Sequence, residues 1–242
     1  MVAKEVFPGT SVLSWYISAE QMLDDVLRVV PYCTSHENVW SPVLATVLLE
    51  SCSQLDSLWN FEARQSSCVT KKKLEIPDYF CYFGEYLAYR WVVFWGEEPE
   101  QFCPYEPWRS VSQYTTANYI PLDWWQAYNR LKHDRLRNRQ EATLKRALHA
   151  LAALFLNILR CEFCRDEVAQ AGWLSAAPGA AHNPRTHLGE DSPSTKDAYV
   201  LAESKLFSYP VGWCKQSIGS NDLWLGNGGH RFMLWFNEHR SR

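Results

Sequence analysis

The 242-residue sequence predicts an all-α fold, a bundle of four to five helices followed by a less regular C-terminal appendage. Three observations favour this fold class. Apolar residues recur at the three- and four-residue spacing of a helix face in several long segments. Residues that commonly start helices stand before those segments. The alternating patterns that are typical of strands are scarce over most of the chain.

The first three predicted helices have recognisable starts or faces. Ser18 to Val30 opens with a residue that can cap a helix and continues with apolar residues at positions 22, 23, 26, 27 and 30. A second helix is predicted from Ser41 to Gln65, because serine caps helices and the proline that follows it suits a first turn. The third, Pro77 to Trp95, carries aromatic residues on nearly every side, which predicts a helix buried around most of its circumference.

Two more helices are predicted after residues 96–117, a segment whose Pro, Glu, Ser and Thr content is typical of a loop. The fourth begins within Pro121-Leu122-Asp123 and is expected to break between Asp134 and Asn138. The fifth is predicted from Gln140 to Gln170. Its apolar positions follow the seam spacing of a helical bundle: Leu144, Leu148, Leu151, Phe155 and Ile158.

Composition divides the chain into three parts. Residues 1–170 are predicted to form the helical bundle domain. Residues 171–195 are rich in Ala, Gly, Pro and Ser, which predicts a flexible linker. Residues 196–242 are expected to form a C-terminal appendage that docks on the bundle and holds a few short strands.

Bulk composition bounds the partners and the location. The formal net charge is −3, so no global charge indicates a nucleic acid or a membrane as partner. The N-terminal sequence lacks the basic start and apolar run of a secretory signal. The longest apolar run, around residues 150–156, is shorter than the ~20 residues that span a bilayer. These features predict a cytoplasmic protein with no membrane partner, whose eight cysteines are reduced thiols.

The stretch WWQAYNRLKHDR, residues 124–135, contains the strongest candidate site. In a helix, Asn129 and His133 stand one turn apart, so their side chains can converge on one point. Trp125 lies one turn below them on the same edge. Between Tyr128 and Arg146 there are seven Lys or Arg residues and two acidic ones, a local excess of five positive charges. The stretch therefore predicts an electropositive site around an imidazole.

Cleavage of an RNA phosphodiester suits these side chains. The reaction removes a proton from the 2′-hydroxyl, delivers one to the leaving 5′-oxygen and concentrates negative charge at the phosphate. An imidazole that titrates near neutrality can move either proton. Arginine holds phosphate oxygens in a planar fork. This chemistry needs no metal and no cofactor, so neither is expected.

Residues 128–135, YNRLKHDR, resemble the Arg-polar-x-x-x-His motif of the HEPN superfamily. The apolar segment ATLKRALHALAALFLNIL that follows is similar to the terminal bundle helix of that group, and the resemblance covers about residues 40–165. It implies an HEPN-like helical bundle and a metal-independent RNase that acts as a homodimer, with two motifs facing each other. It also implies a place in bacterial anti-phage defence or toxin–antitoxin systems, with RNA such as tRNA, or a partner protein of a defence complex, as partner.

Two positions depart from the family motif. Tyr128 stands where the family has arginine, and Arg135 stands where an extended form of the motif has tyrosine. Two interpretations stay open. Either Arg130 or Arg135 supplies the guanidinium from a neighbouring position, or the site is degenerate, as in family members that bind or scaffold without cutting. The sequence leaves undecided whether the chain is an active endoribonuclease.

The RNase interpretation gives each candidate residue a role. His133 is the general acid or base, and Asn129 orients it or contacts a phosphate. Arg130 and Arg135 stabilise developing charge. The alternative is a non-catalytic helical module that binds a partner protein or RNA, which Tyr128 and the many aromatic residues favour. Further side chains expected to bind nucleic acid are Lys132, Arg137, Arg139 and Trp125.

Two other features are expected to be structural. Cys161 and Cys164 form a C-x-x-C pair, but no second pair of ligands stands at a matching distance for zinc. The pair also lies late in a predicted helix, whereas redox pairs lie at a helix start. Glu50 and Asp56 are expected to face the basic stretch and form an ion pair with it. The sequence therefore predicts no metal site.

Overall fold

The computed structural model describes residues 9–65, 71–178 and 197–215. Helices in this part of the chain are α1 (Gly9–Leu27), α2 (Pro42–Gln65), α3 (Ile76–Leu87), α4 (Asp123–His133), α5 (Leu144–Arg160) and α6 (Arg165–Gln170). Its strands are β1 (Val92–Trp95), β2 (Pro99–Phe102), β3 (Leu174–Pro178), β4 (Asp197–Glu203) and β5 (Phe207–Lys215). The strands form one antiparallel sheet in the order β2-β1-β5-β4-β3.

The sheet shows that the prediction of an all-α fold is wrong, since the fold is mostly helical but includes an antiparallel sheet. The helix predicted over residues 77–95 ends at Leu87, and its last four residues form β1. Val92, Val93 and Phe94 are all buried, and β-branched and aromatic residues suit a strand covered on both faces. A dense apolar run also suits a buried helix, so the local pattern does not separate the two structures.

The partners of β1 complete this correction. One partner is β2, which lies inside residues 96–117, the segment predicted as a loop. The other is β5, where Val93 and Phe94 pair with Ser208 and Phe207. The hydrogen-bonding partner of a strand in the middle of the chain is thus a strand near its C-terminus.

The helices with the clearest sequence patterns are confirmed. α2 begins at Pro42, where the Ser41 hydroxyl accepts a hydrogen bond from the amide of Leu44 at 3.1 Å. α4 begins at Asp123, as expected from its start signal. α5 is the central helix and contacts α1, α2 and α4. The five residues predicted as its seam are all buried: Leu144, Leu148, Leu151, Phe155 and Ile158.

The predicted fifth helix is shorter than expected. α5 ends at Arg160 because Cys161 adopts extended backbone geometry, and a 3-10 turn and the short α6 follow. Cys161 and Cys164 are both buried at this break. A hydrogen bond with Cys161 and burial raise the pKa of the Cys164 thiol far above its ordinary value. These cysteines pack as small apolar residues, and no group of three or more His, Cys, Asp or Glu suited to a metal is found in the described residues.

The C-terminal region is joined to the rest of the fold through the sheet. β3 occupies residues 174–178, at the start of the predicted linker, and pairs with β4. Residues 179–196 and 216–242, which include the remainder of that linker and most of the predicted appendage, lie outside the described residues. β4 and β5 form a hairpin that pairs with β1.

A buried carboxylate fastens this hairpin to the first helix. Glu20 of α1 accepts hydrogen bonds from the Tyr16 hydroxyl at 3.0 Å, from the Leu206 amide at 2.9 Å and from the Ser204 hydroxyl. The Lys205 amide lies at 3.3 Å from its second oxygen. The turn between β4 and β5 therefore closes over α1 instead of projecting into solvent.

No single helix among the described residues has the length and the apolar character needed to cross a membrane. α5 and the segment Glu162–Gln170 reach that composition only when they are taken together, and the chain bends by 86° between them.

Candidate functional site

α4 is amphipathic, and this pattern decides which of its side chains reach solvent. Trp124, Trp125, Tyr128 and Leu131 follow helical spacing and are buried. The helix ends at His133, since Asp134 leaves helical geometry. The opposite face is polar and exposed along the last turn.

Asn129 and His133 lie four residues apart on this exposed face. Neither side chain forms a hydrogen bond or an ion pair with any residue that the structure describes. His133 is not covered by its own chain, so its imidazole can reach an external group. The two predicted residues therefore lie together on an open surface and not inside a cavity.

Two arginines beside this pair have acidic neighbours at the limit of ion-pair distance. Arg130 Nε lies 3.6 Å from the carboxylate of Glu141, and Arg137 Nε lies 3.4 Å from that of Asp134. Both guanidinium groups are largely exposed. Exposed ion pairs of this kind contribute about 0–1 kcal/mol, so an incoming phosphate can compete for either arginine.

The remaining predicted cations have no acidic partner among the described residues. Arg135 is exposed and forms no ion pair there. The Arg139 guanidinium lies 5.5 Å from the centre of the Trp40 ring, a cation–π arrangement. Lys132 Nζ donates to the Tyr128 hydroxyl at 3.2 Å. We call the exposed set the basic surface: Asn129, Arg130, Lys132, His133, Arg135, Arg137 and Arg139.

Two cations counted in the sequence are engaged elsewhere. Arg146 binds both carboxylate oxygens of Asp123, at 2.7 and 2.9 Å, and also binds Glu141 at 2.7 Å. Lys145 Nζ lies 2.9 Å from Glu37. These cations hold the pKa values of Asp123 and Glu37 below the ordinary value of an acidic side chain. The local excess of positive charge is therefore smaller than the sequence indicates.

Trp125 does not belong to the basic surface. Its side chain is only 5% exposed, and its ring packs 5.6 Å from Trp59 and 5.2 Å from Tyr128. A base cannot stack on a ring that is covered by two others. The prediction that Trp125 binds nucleic acid is therefore wrong. Trp125 belongs to the apolar stripe of α4, which faces the core.

The two acidic residues of α2 contribute little to the site. Glu50 accepts a hydrogen bond from Gln54 of its own helix. Asp56 lies near Lys132, but burial raises the pKa of its carboxyl, with Tyr79 and Lys132 acting in the opposite sense. The predicted ion pair with the basic stretch is not formed within 4 Å among the described residues.

A cavity of about 170 Å³ lies at the other end of α4. It is lined by residues of three segments: Cys103, Pro104, Glu106, Pro107, Leu122, Asp123, Trp124, Lys145, Arg146 and His149. The sequence reasoning missed it, because its walls come from distant segments and His149 lies within the apolar pattern of α5. In the sequence, the one sign of this cavity is a histidine among apolar residues of α5, one turn after Lys145.

Two titratable groups of this cavity, His149 and Cys103, are uncharged near neutrality. Burial, with a smaller contribution from Lys145, lowers the pKa of His149 to about 4, and its ring stacks on Phe102 at 5.2 Å. Burial raises the pKa of the Cys103 thiol, although Arg109 opposes this shift. The cavity therefore presents a neutral imidazole and a protonated thiol. Because a protonated thiol is a poor nucleophile, these groups suit ligand binding more than nucleophilic catalysis.

The lowered pKa of His149 predicts a loss of stability in acid. Between about pH 6.5 and pH 4 the unfolded chain binds a proton at this position and the folded chain does not, so the free energy of unfolding falls with pH. Replacing the imidazole by a phenyl ring in His149→Phe should remove about 2 kcal/mol of this pH dependence. Urea unfolding at pH 7 and pH 4.5 measures it.

Comparing the wild type with His149→Phe isolates the contribution of His149 to the pH dependence of stability. Asp56 and Glu62 have raised pKa values and act in the opposite direction over the same window, but both are present in each chain. An equal fall in stability for the wild type and for His149→Phe would show that the ring is protonated in the folded state as readily as in the unfolded state.

No protein-family model, no curated protein and no solved structure matches this chain. The resemblance to the HEPN superfamily therefore rests on the motif at residues 128–135 and stays a prediction.

Proposed function

We propose that the basic surface binds RNA and that His133 transfers a proton there during metal-independent cleavage of the RNA backbone. One observation carries this proposal. Asn129 and His133 are exposed one turn apart, without partners among the described residues, beside four arginines of which none is held by a close ion pair. Such a surface offers phosphate contacts and a titratable group in the same place.

The arrangement supports one proton transfer for each chain. His133 can accept the proton of a 2′-hydroxyl or donate to the leaving 5′-oxygen, and Asn129 can hold a phosphate oxygen through its amide. The basic surface holds a single imidazole, so the second proton transfer needs another group. A second copy of the chain, with its own His133 facing the first, would supply that group, as the resemblance to the HEPN superfamily implies.

The test is incubation of the purified chain with total RNA and with tRNA in the presence of EDTA. We expect His133→Ala to lower the rate of cleavage by about a hundredfold, because general acid–base catalysis contributes at least that much. His36→Ala is the matched control, since His36 does not belong to the basic surface and its Nδ1 hydrogen-bonds the carbonyl of Pro31. Equal cleavage by the wild type and His133→Ala would exclude His133 as the proton-transfer group.

A second function, partner binding without catalysis, is favoured by a separate observation. Tyr82, Tyr86 and Tyr89 are 40–49% exposed along and just beyond α3, and the Arg90 guanidinium lies 3.9 Å from the centre of the Tyr86 ring. Tyrosine and arginine are the residues that most often anchor interfaces. RNA that is bound by the wild type but left intact under all conditions would favour this non-catalytic function over the nuclease.

A further inference from the structure

The cavity beside α4 is built by side chains that are fixed before any ligand arrives. Trp124 Nε1 donates to the carbonyl of Pro104 at 3.0 Å, which ties the start of α4 to the loop after β2. Arg146 binds Asp123 with two hydrogen bonds and so ties α4 to α5. The three walls are therefore held together by direct contacts, and a rigid site costs less to occupy than one that has to form.

One polar group in the wall has no partner in the described chain. His149 packs its ring face on Phe102, and neither ring nitrogen forms a hydrogen bond with a described residue. The neutral ring carries one N–H donor and one acceptor nitrogen. A ligand that presents an acceptor and a donor can therefore pair with both ring nitrogens at once.

The charges of the wall favour a neutral ligand. Two acidic and two basic residues line the cavity, and the basic ones are already engaged, Arg146 with Asp123 and Lys145 with Glu37. An anionic ligand would have to displace one of these ion pairs, and a cationic ligand would find only the exposed carboxylate of Glu106. The other lining side chains are mainly apolar, with the Trp124 ring among them.

The volume limits the ligand to one ring. An apolar cavity of roughly 150 Å³ holds benzene, and this cavity measures about 170 Å³. We propose that it binds an uncharged, planar nitrogen heterocycle of the size of a pyrimidine base, with hydrogen bonds to His149. This ring can come from a free base or from a nucleotide of RNA. The proposal does not depend on cleavage at His133.

The test is titration of the full chain, labelled in its histidine rings, with uracil, followed by NMR. We expect a saturable shift of the His149 ring signal, which His149→Phe identifies by its disappearance. A second reporter, calorimetry, should show that His149→Phe weakens uracil binding by about tenfold, because it keeps the packing on Phe102 and loses two hydrogen bonds. His133→Phe is the matched control and should leave uracil binding unchanged.

A short uridine oligonucleotide separates the two sources of the ring. A shift of the His149 signal by the oligonucleotide assigns the site to RNA, and a shift by uracil alone assigns it to a free base. Glu106 lies at the exposed mouth of the cavity, so Glu106→Trp is expected to block binding of both ligands. This variant replaces His149→Phe in the test if His149→Phe does not fold. No saturable shift up to the solubility of uracil, or unchanged binding by Glu106→Trp, would overturn the proposal.

Discussion

Replacement of Glu20 by alanine is expected to destabilise the protein by about 4 kcal/mol, because it removes the acceptor of several buried donors at once. The Tyr16 hydroxyl, the Leu206 amide and the Ser204 hydroxyl all donate to this carboxylate. Glu20 is only 4% exposed, so water does not replace the lost acceptor without opening the structure. Urea unfolding of the wild type and of Glu20→Ala measures the difference.

The local nature of this effect can be checked by hydrogen exchange. The Leu206 amide should exchange faster in Glu20→Ala, because the turn between β4 and β5 loses its attachment to α1. Asp25→Ala is the matched control on the same helix. Asp25 is exposed and accepts a hydrogen bond from Gln21 of its own helix at 2.8 Å, and its loss should cost less than about 1 kcal/mol. Equal destabilisation by the two variants would contradict a special role for Glu20.

The second large effect is expected at Asn157, in the last turn of α5. Its carbonyl oxygen accepts from Trp59 Nε1 at 2.7 Å, and its amide donates to the Tyr105 hydroxyl at 2.7 Å and to the carbonyl of Ala153 at 2.8 Å. Asn157→Leu has a similar volume but leaves the Trp59 and Tyr105 groups buried without partners. We expect a loss of about 3 kcal/mol in the free energy of unfolding, at about 1–3 kcal/mol for each unsatisfied group.

A double-mutant cycle distinguishes the hydrogen bonds from packing. Trp59→Phe removes the indole N–H, so Asn157→Leu should cost less in that background than in the wild type. The buried position of Tyr105 raises the pKa of its hydroxyl, which keeps it protonated over the range of the measurement. Strictly additive losses for the two substitutions would show that Asn157 stabilises the core by shape alone.

The local sequence pattern was sufficient to predict the helices that bury a single apolar stripe. The seam residues of α5 from Leu144 to Ile158 and the start signal at Ser41 describe helices that need no distant information, because side-chain spacing and capping act within a few residues. The exposure of Asn129 and His133 follows in the same way from the amphipathic pattern of α4. The sequence therefore located these two side chains on one surface.

The charge of the site could not be read from the sequence in the same way. The excess of five positive charges in residues 128–146 counts Lys145 and Arg146. Folding brings Glu37 and Asp123 against them, and neither acid lies in that stretch. Trp125 shows the same difference for an aromatic residue, since its ring packs on Trp59 of α2, which lies outside that stretch.

By itself the sequence determined that α2, α4 and α5 are helices and that the seam residues of α5 face the core, because helix hydrogen bonds and apolar stripes are local. Only the tertiary structure decided that Val92–Trp95 is a strand, since its partner β5 lies far along the chain and an apolar run satisfies a strand or a buried helix equally well. The cavity at His149 was decided in the same way, because three separate segments have to meet before its walls exist.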